Sequence, residues 1–224
     1  MVDEKEFINA VRNGELVKVE EILAQKPGWA GSKTPEGLPV VLLAAYYGHP
    51  DVAQALAEVR NDLDVFEAAA TGKIDRLKTL AASRPELANA VAPDGFQPLG
   101  LASFFGQAEA ARFLLEHGAE VNAPSQNAQK VMPLHSAAAR RSLEIARLLM
   151  EHGADPNARQ ADDFTPLQEA AANGQLELVA LLLEYKADPN AVQAQGLTAL
   201  SLAQKQGHQE VVDYLIQHGA VSSF

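Results

Sequence analysis

The six histidines are the side chains in this sequence best suited to chemistry, as metal ligands or as acid–base groups near neutral pH. Each of them stands beside a repeated glycine or follows a Pro-Leu pair. Such regular spacing would disperse the imidazoles along the molecule instead of bringing them to one metal ion. We therefore predict that the protein holds no metal and no cofactor. All six imidazoles are expected to hydrogen-bond to the backbone, namely those of His49, His117, His135, His152, His208 and His218.

Other catalytic patterns are missing from the sequence. It contains neither the H-E-x-x-H pattern of zinc peptidases nor the G-x-S-x-G pattern of serine hydrolases. Gly72-Lys73 looks like the end of a phosphate-binding loop, but that loop needs glycine where Glu67 stands, and no Ser or Thr follows the lysine. Asp162 and Asp163 are expected on solvated loops. We predict no catalytic residue and a protein that is not an enzyme.

Composition and charge restrict the classes of partner. The chain has 224 residues, 47% of them hydrophobic, with a formal net charge of −11 and no cysteine. An acidic chain is unsuited to nucleic acid, whose phosphates need a positive surface, but it can attract a basic protein patch. Residues 1–7 lack the pattern of a signal peptide, and the longest apolar run, residues 40–47, is too short to span a bilayer. We predict a cytoplasmic monomer with no nucleic-acid or membrane partner.

Repeated glycines show how the chain positions its side chains. The intervals between them are 34, 24, 34, 35, 33 and 33 residues, if Arg141 is counted where a glycine is expected. A period near 33 residues is the mark of a repeat protein. The glycines that define it, each following an alanine-rich segment, are Gly14, Gly48, Gly72, Gly106, Gly174 and Gly207.

The segments around these glycines also repeat. Thr165-Pro-Leu-Gln-Glu-Ala-Ala-Ala-Asn-Gly-Gln175 aligns with the segments that begin at Gln97, Met132 and Thr198. We predict a first helix in each unit, capped best where Thr165 stands and started by proline, and a left-handed turn at the glycine. A second, amphipathic helix is predicted at residues 109–116, 143–151, 176–184 and 209–217.

These segments resemble the ankyrin repeat family, in its stand-alone bacterial form. The matching features are Thr-Pro-Leu, the alanine pair, the turn glycine and a Gly-Ala-Asp loop such as the one beginning at Gly153. The resemblance covers nearly the whole chain and is strongest after Gly95. It implies an all-α solenoid of about seven helix-turn-helix units with short β-hairpin-like loops, forming a single domain over residues 1–224. The expected units are 3–35, 36–62, 63–93, 94–129, 130–162, 163–195 and 196–224.

The 24-residue interval predicts that one loop is missing between the second and third units. The resemblance implies a row of hairpin fingers beside a concave groove, so one finger should be absent there. One interpretation is a neutral deletion, tolerated because helix stacking supplies most of the interface. The other is a functional notch that widens access to the groove, and it requires a lining of apolar or aromatic side chains.

The resemblance also implies a binding surface. In ankyrin arrays, partners contact the two residues before the turn glycine and the residues that enter the first helix. Two readings of the adjacent aromatic pairs stay open: packing beside the shortened third unit, or contact with a partner. We expect one ring of each pair to pack and the other to line the groove. The predicted partner-binding residues are Tyr46, Tyr47, Phe96, Phe104, Phe105, Arg140 and Phe164.

The predicted function is non-catalytic binding of a protein partner, of unknown identity, on the concave face. Two alternatives come from other classes. One is a small-molecule or enzymatic site in the notch around units two to four, which would need converging polar groups in a deep pocket. The other is a structural scaffold that self-associates through its aromatic patch.

Overall fold

The structure of the protein, a computed structural model, describes residues 3–221. Residues 1 and 2 lie outside the described range, as do residues 222–224, which belong to the predicted seventh unit. Within the described range the chain forms fourteen α-helices and three short 3-10 helices. The α-helices follow one another in packed pairs. They are α1 (Glu4–Arg12), α2 (Leu16–Gln25), α3 (Val40–Tyr46), α4 (Pro50–Glu58), α5 (Val65–Thr71), α6 (Ile74–Ser83), α7 (Pro98–Phe104), α8 (Ala108–Glu116), α9 (Pro133–Ala139), α10 (Leu143–Glu151), α11 (Pro166–Ala172), α12 (Leu176–Glu184), α13 (Ala199–Gln206) and α14 (Gln209–Gln217).

The all-α prediction is confirmed, and the repeat predicts the helices closely. Helices α10, α12 and α14 have the bounds expected from the sequence, and α8 begins one residue earlier than expected. Each pair combines a short first helix with a longer second one whose apolar residues face inward. The 3₁₀ helices, at Pro27–Gly31, Pro85–Asn89 and Ala161–Asp163, lie in the segments between pairs.

The helices form two compact units, one ending at Leu87 and the other beginning at Ala88. In the first unit α3 packs on α1 and on α5, and in the second α9 packs on α7 and α11, which in turn packs on α13. Among the second helices of the second unit, α10 contacts α8 and α12, and α12 contacts α14. Alanines of the first helices, such as Ala102 and Ala137, are fully buried, because a small side chain lets neighbouring helix axes approach closely.

Side-chain caps start several first helices. The Thr165 hydroxyl accepts a bond of 3.3 Å from the backbone N–H of Gln168, and the Gln168 side chain accepts one of 2.9 Å from the N–H of Thr165. This reciprocal pair satisfies two donors that a helix start otherwise leaves without partners. The predicted cap at Thr165 is therefore confirmed, and Asp64 with Glu67 forms the same arrangement at α5.

The turn between the two helices of a pair requires a left-handed residue. Gly174 has φ +67° there, and Arg141, which the alignment places where a glycine is expected, has φ 59°. Gly174 is also restricted by space, since a Cβ atom would lie 2.6 Å from Nδ1 of His208. Arg141 keeps a full side chain at this position, and its guanidinium donates a bond of 2.7 Å to the carbonyl of Asn173.

Lys186 occupies a second left-handed position, with φ 71°, where Gly153 and Gly219 stand in neighbouring repeats. A side chain in this conformation costs about 1–2 kcal/mol. Glycine avoids this cost, but its unfolded chain is more flexible, which offsets part of the gain in stability. Changing Lys186 to glycine is therefore expected to raise the free energy of unfolding by about 0.5–1 kcal/mol. Urea denaturation measures the change, and Lys186→Ala, which keeps the Cβ atom, should bring no gain. An unchanged midpoint for Lys186→Gly would contradict the strain argument.

The loops between pairs close like hairpins without forming strands. The N–H of Gln160 donates to the carbonyl of Phe164 at 3.0 Å, and the N–H of Gln193 donates to that of Leu197 at 3.1 Å. Between residues 3 and 221 the only strand-like feature is an isolated bridge in the first unit, between Lys33 and Pro39. Adjacent loops of the second unit are also bonded to each other. The N–H groups of Gln126, Ala161 and Ala194 donate to the carbonyls of Gly95, Gln129 and Asp162.

A row of asparagine side chains joins successive repeats of the second unit. Asn122 donates to the carbonyl of Gly153 at 3.0 Å and accepts from the N–H of Asp155 at 2.8 Å. Asn157 bonds in the same way to Lys186 and Asp188. The same two-bond connection is made by Asn89 with Gly118 and Glu120, and by Asn190 with Gly219 and Val221. Each asparagine thereby fixes the loop that follows it by one repeat.

No helix between residues 3 and 221 combines the length and the apolar composition that crossing a lipid bilayer requires.

Candidate functional site

The histidines bond to backbone carbonyls, as the sequence predicts. Those that precede a loop glycine bond through Nδ1 to the carbonyl four residues earlier: His117 at 2.7 Å, His152 at 2.9 Å and His218 at 2.8 Å. The two that follow a turn glycine use Nε2 and reach the preceding repeat, where His49 bonds to Arg12 and His208 to Ala172, both at 3.1 Å. Across residues 3–221 no three His, Asp or Glu side chains converge as metal ligands would.

His135 differs from the other histidines because it is buried, with 2% of its surface exposed. Its Nε2 lies 3.0 Å from the carbonyl oxygen of Phe164, to which it donates. Burial lowers the pKa of His135 to about 4, because the charged ring would lose its hydration. Gln168 is its counterpart one repeat later and donates to Ala191 and Leu197. His135 therefore serves as a neutral connector between repeats.

The first unit presents the predicted tyrosine pair at the end of α3. Tyr46 is half-buried and Tyr47 is 54% exposed. The guanidinium carbon of Arg12, from the preceding repeat, lies 5.7 Å from the centroid of the Tyr47 ring, within reach of a cation–π interaction. Tyr47 therefore offers solvent an aromatic side chain beside a positive charge.

In the second unit Phe104, Phe105 and Arg140 form one cluster, here called the aromatic–arginine cluster. The centroids of the two phenylalanine rings lie 5.1 Å apart and the rings meet edge to face at 85°. The guanidinium carbon of Arg140 lies 5.2 Å from the centroid of the Phe104 ring. Both residues are half-buried, and the expectation that one ring packs while the other lines the groove stays a prediction.

The structure places the other two predicted aromatic residues apart from these contacts. Phe96 is half-buried against α7, where a Cβ atom on Gly100 would lie 3.7 Å from its ring. Phe164 is also half-buried, in a depression at the loops that it shares with Val131 and Gln160. Neither ring contacts another aromatic ring within residues 3–221.

A charged cluster replaces the missing loop between α4 and α5. The guanidinium of Arg60 pairs with Glu67, which is 2% exposed, and with Asp62 at 2.9 Å. Glu67 also accepts a bond of 3.0 Å from the N–H of Asp64, and Arg76 donates to the carbonyl of Leu63 at 2.6 Å. This lining is polar and internally bonded, so it differs from the apolar or aromatic lining that a functional notch requires.

Electrostatics distinguish the two carboxylates of that cluster. Burial raises the pKa of Glu67, against the lowering effect of its bonds to Asp64 and Arg60. A hydrogen bond from Arg60 lowers the pKa of the exposed Asp62. This cluster was not predicted from the sequence, although the Asp64-x-x-Glu67 pattern before an alanine-rich run is typical of a capping box.

Comparison with known proteins adds two findings. A family model described as ankyrin repeats, in three copies, matches residues 65–160 and 134–223. The human DNA-binding protein RFXANK is 35% identical over 82 residues, which are 37% of this chain and 32% of RFXANK. The chain thus matches about a third of the length of this relative.

Proposed function

Since the chain belongs to the ankyrin repeat family, whose repeats generally mediate interactions between proteins, we propose that it is a non-catalytic module that binds a protein partner on its concave face. The partner would contact the residues before the turn glycines and those that enter the first helices: Tyr46, Tyr47, Phe96, Phe104, Phe105, Arg140 and Phe164. We propose that the seven predicted units form one domain.

The observation that carries this proposal is the exposure of aromatic rings at these positions. Tyr47 is 54% exposed, and Phe104 and Phe105 are both half-buried at the end of α7. Completing the burial of an aromatic side chain gains about 25 cal/mol per Å² of apolar surface. Aromatic residues and arginine are also enriched in protein interfaces, and Tyr and Arg are enriched among the few residues that carry most of the binding energy. The aromatic–arginine cluster therefore has the composition of an interface anchor.

A non-catalytic role agrees with the position of the groups whose pKa values are shifted most clearly by burial. Catalytic groups with perturbed pKa values usually line a cleft that a substrate can enter. His135 and Glu67 instead lie inside the helix packing, where one bonds to a backbone carbonyl and the other to Arg60. Both shifts thus have a structural cause.

We favour a protein partner over nucleic acid. RFXANK is named as a DNA-binding protein, and the matching segment covers a minor part of it. The net charge of −11 on the present chain opposes the binding of phosphate backbones, which depends on clustered Lys and Arg. We also propose that the protein acts as a monomer in the cytoplasm. The absence of cysteine from the sequence is compatible with that reducing compartment.

Replacing Phe104 or Tyr47 with alanine is expected to weaken capture of protein partners in a pull-down from native lysate, because each change removes an aromatic side chain that is at least partly accessible to solvent. Circular dichroism and urea denaturation should show that both variants stay folded. Ile216→Ala is the matched control, since Ile216 is 52% exposed but lies on α14, outside the predicted surface.

Three outcomes of the pull-down would count against the proposal. Recovery of the same proteins by wild type and by a Phe104→Ala/Tyr47→Ala double variant would show that the rings are not the contact. An equal loss with Ile216→Ala would point to non-specific adhesion. Unfolding of either single variant would assign its ring to packing.

A further inference from the structure

We infer that the partner segment bound by the aromatic–arginine cluster carries an acidic side chain next to an apolar one. This inference rests on the proposed function, because it concerns the chemistry of the partner at the same surface. It follows from the position and the surroundings of Arg140.

Arg140 is exposed and forms no ion pair with another described residue. Among residues 3–221 no carboxylate oxygen lies within 4.0 Å of its guanidinium. Nearby Arg141 differs, because its guanidinium donates to the carbonyl of Asn173 at 2.7 Å. Arg140 is therefore the arginine of this turn whose guanidinium donates no hydrogen bond to another described residue.

The Phe104 ring holds Arg140 in a defined place. The guanidinium carbon lies 5.2 Å from the ring centroid, so the ring face attracts the cation and limits its motion. A guanidinium that is fixed in this way loses less conformational entropy when it pairs with a planar anion. Its N–H edge matches the two oxygens of a carboxylate, which accepts two parallel hydrogen bonds. Arg140 is thus preorganised for an Asp or Glu side chain.

The two rings beside Arg140 define the second half of the recognised segment. Phe104 and Phe105 meet edge to face at 5.1 Å and leave part of each ring in contact with solvent. An apolar side chain that covers these rings would remove their surface from water and exclude water from the adjacent ion pair, which strengthens that pair. The acidic and the apolar side chain must therefore be close neighbours in the partner.

The first unit also places an arginine beside an aromatic ring, but in different surroundings. The guanidinium carbon of Arg12 lies 5.7 Å from the centroid of the Tyr47 ring, while its Nε atom is buried and its charge interacts with Glu36. Arg140 has no such acidic partner among residues 3–221. Positive charge at Arg140 hence selects an acidic segment locally, whereas the net charge of −11 favours a basic one.

Selection from a phage library of random short peptides, with the full chain as bait, tests the inference. We expect peptides enriched on wild type to share an Asp or Glu beside an aromatic or aliphatic residue. Arg140→Glu should weaken binding of the consensus peptide about tenfold or more, since a charge-assisted pair becomes a repulsion. Arg147→Glu is the matched control, because it changes the net charge equally but lies on α10, in a depression with Tyr214 and His218.

The outcomes separate this inference from the proposed function. Enriched peptides that depend on Phe104 but show no acidic preference, or that bind Arg140→Glu as well as wild type, would overturn the inference alone. Equal weakening by Arg147→Glu would also overturn it, since only net charge would then matter. Enrichment of no peptide, or of peptides indifferent to Phe104→Ala, would count against both.

Discussion

Replacing Arg60 with methionine is expected to lower the free energy of unfolding by about 3–5 kcal/mol at pH 7, because it leaves a buried carboxylate without its cation. The affected group is Glu67, whose side chain is 2% exposed, whereas that of Arg60 is 13% exposed. Methionine keeps much of the apolar volume of the arginine stem, so the loss measures charge compensation more than packing. Urea denaturation at pH 7 gives the size of the effect.

The pH dependence of this loss identifies its origin. Burial already raises the pKa of Glu67 in the wild type, and removal of Arg60 takes away a positive neighbour that opposes that rise. A carboxyl group with a folded pKa above its unfolded value favours folding when it is protonated. The difference in the free energy of unfolding between wild type and Arg60→Met should therefore become smaller as the pH is lowered from 7 towards 5.

Two control variants locate the effect at Glu67. Adding Glu67→Gln to Arg60→Met should recover most of the stability, since an amide oxygen can still accept the bond from the Asp64 N–H, as Gln168 does with Thr165. The side chain of Asp62, the other partner of Arg60, is 81% exposed. Changing Asp62 to asparagine should therefore lower the free energy of unfolding by less than about 1 kcal/mol. A double variant as unstable as Arg60→Met would show that lost packing is the cause.

The second large effect concerns His135 in acid. Between pH 7 and pH 5 the wild type is expected to lose about 2 kcal/mol of stability through this residue alone. The pKa of His135 is lowered by burial from 6.5 to about 4, so the unfolded chain takes up a proton in a range where the folded chain does not. Stability is then fully present above pH 6.5 and declines as the pH falls towards 4.

Neighbouring repeats supply the matched variants for this prediction. His135→Gln copies Gln168, whose side-chain N–H₂ group donates to the carbonyl of Leu197, as His135 Nε2 does to that of Phe164. The free energy of unfolding of His135→Gln should stay within about 1 kcal/mol of that of wild type at pH 7. The variant should not show the loss of stability below pH 6.5 that His135 causes in the wild type. The converse change, Gln168→His, should add acid sensitivity. Parallel pH–stability curves for wild type and His135→Gln would contradict the burial argument.

Much of the local structure follows from the repeat in the sequence. The bounds of α10, α12 and α14 were predictable because their apolar residues recur at helical spacing between a turn glycine and a loop. The left-handed conformation of Arg141 was predictable as well, because the backbone of a repeated turn is fixed by its neighbours whatever residue occupies it. The ankyrin resemblance is confirmed by the match to the family model.

The ion pair of Arg60 and Glu67 was not predictable in the same way. The two residues belong to different elements, and their contact depends on how the shortened connection turns back towards α5. A rule that places glutamate on solvated surfaces fails here, because the capping box draws Glu67 inward to the N–H of Asp64.

The predicted binding surface remains a prediction, and the structure refines its geometry. Adjacent helical residues point about 100° apart, so Phe104 and Phe105 would point in separate directions if both lay inside a helix. Helix α7 ends at Phe104, and Phe105 lies at its C-terminal cap with φ −91° and ψ 6°. The two rings then meet edge to face, a contact that side-chain rotamers decide and that spacing along the sequence cannot give.

The asparagine row of the second unit has a consequence for how that unit comes apart. Each of these side chains reaches one repeat ahead and no farther. Cohesion is therefore a sum of nearest-neighbour terms, as in a one-dimensional lattice. Separation of α13 and α14 from α12 breaks the connection made by Asn190 and leaves those made by Asn122 and Asn157 in place. Amide protons of α14 should then be able to exchange with solvent while those of α10 stay protected, so the second unit would open one repeat at a time.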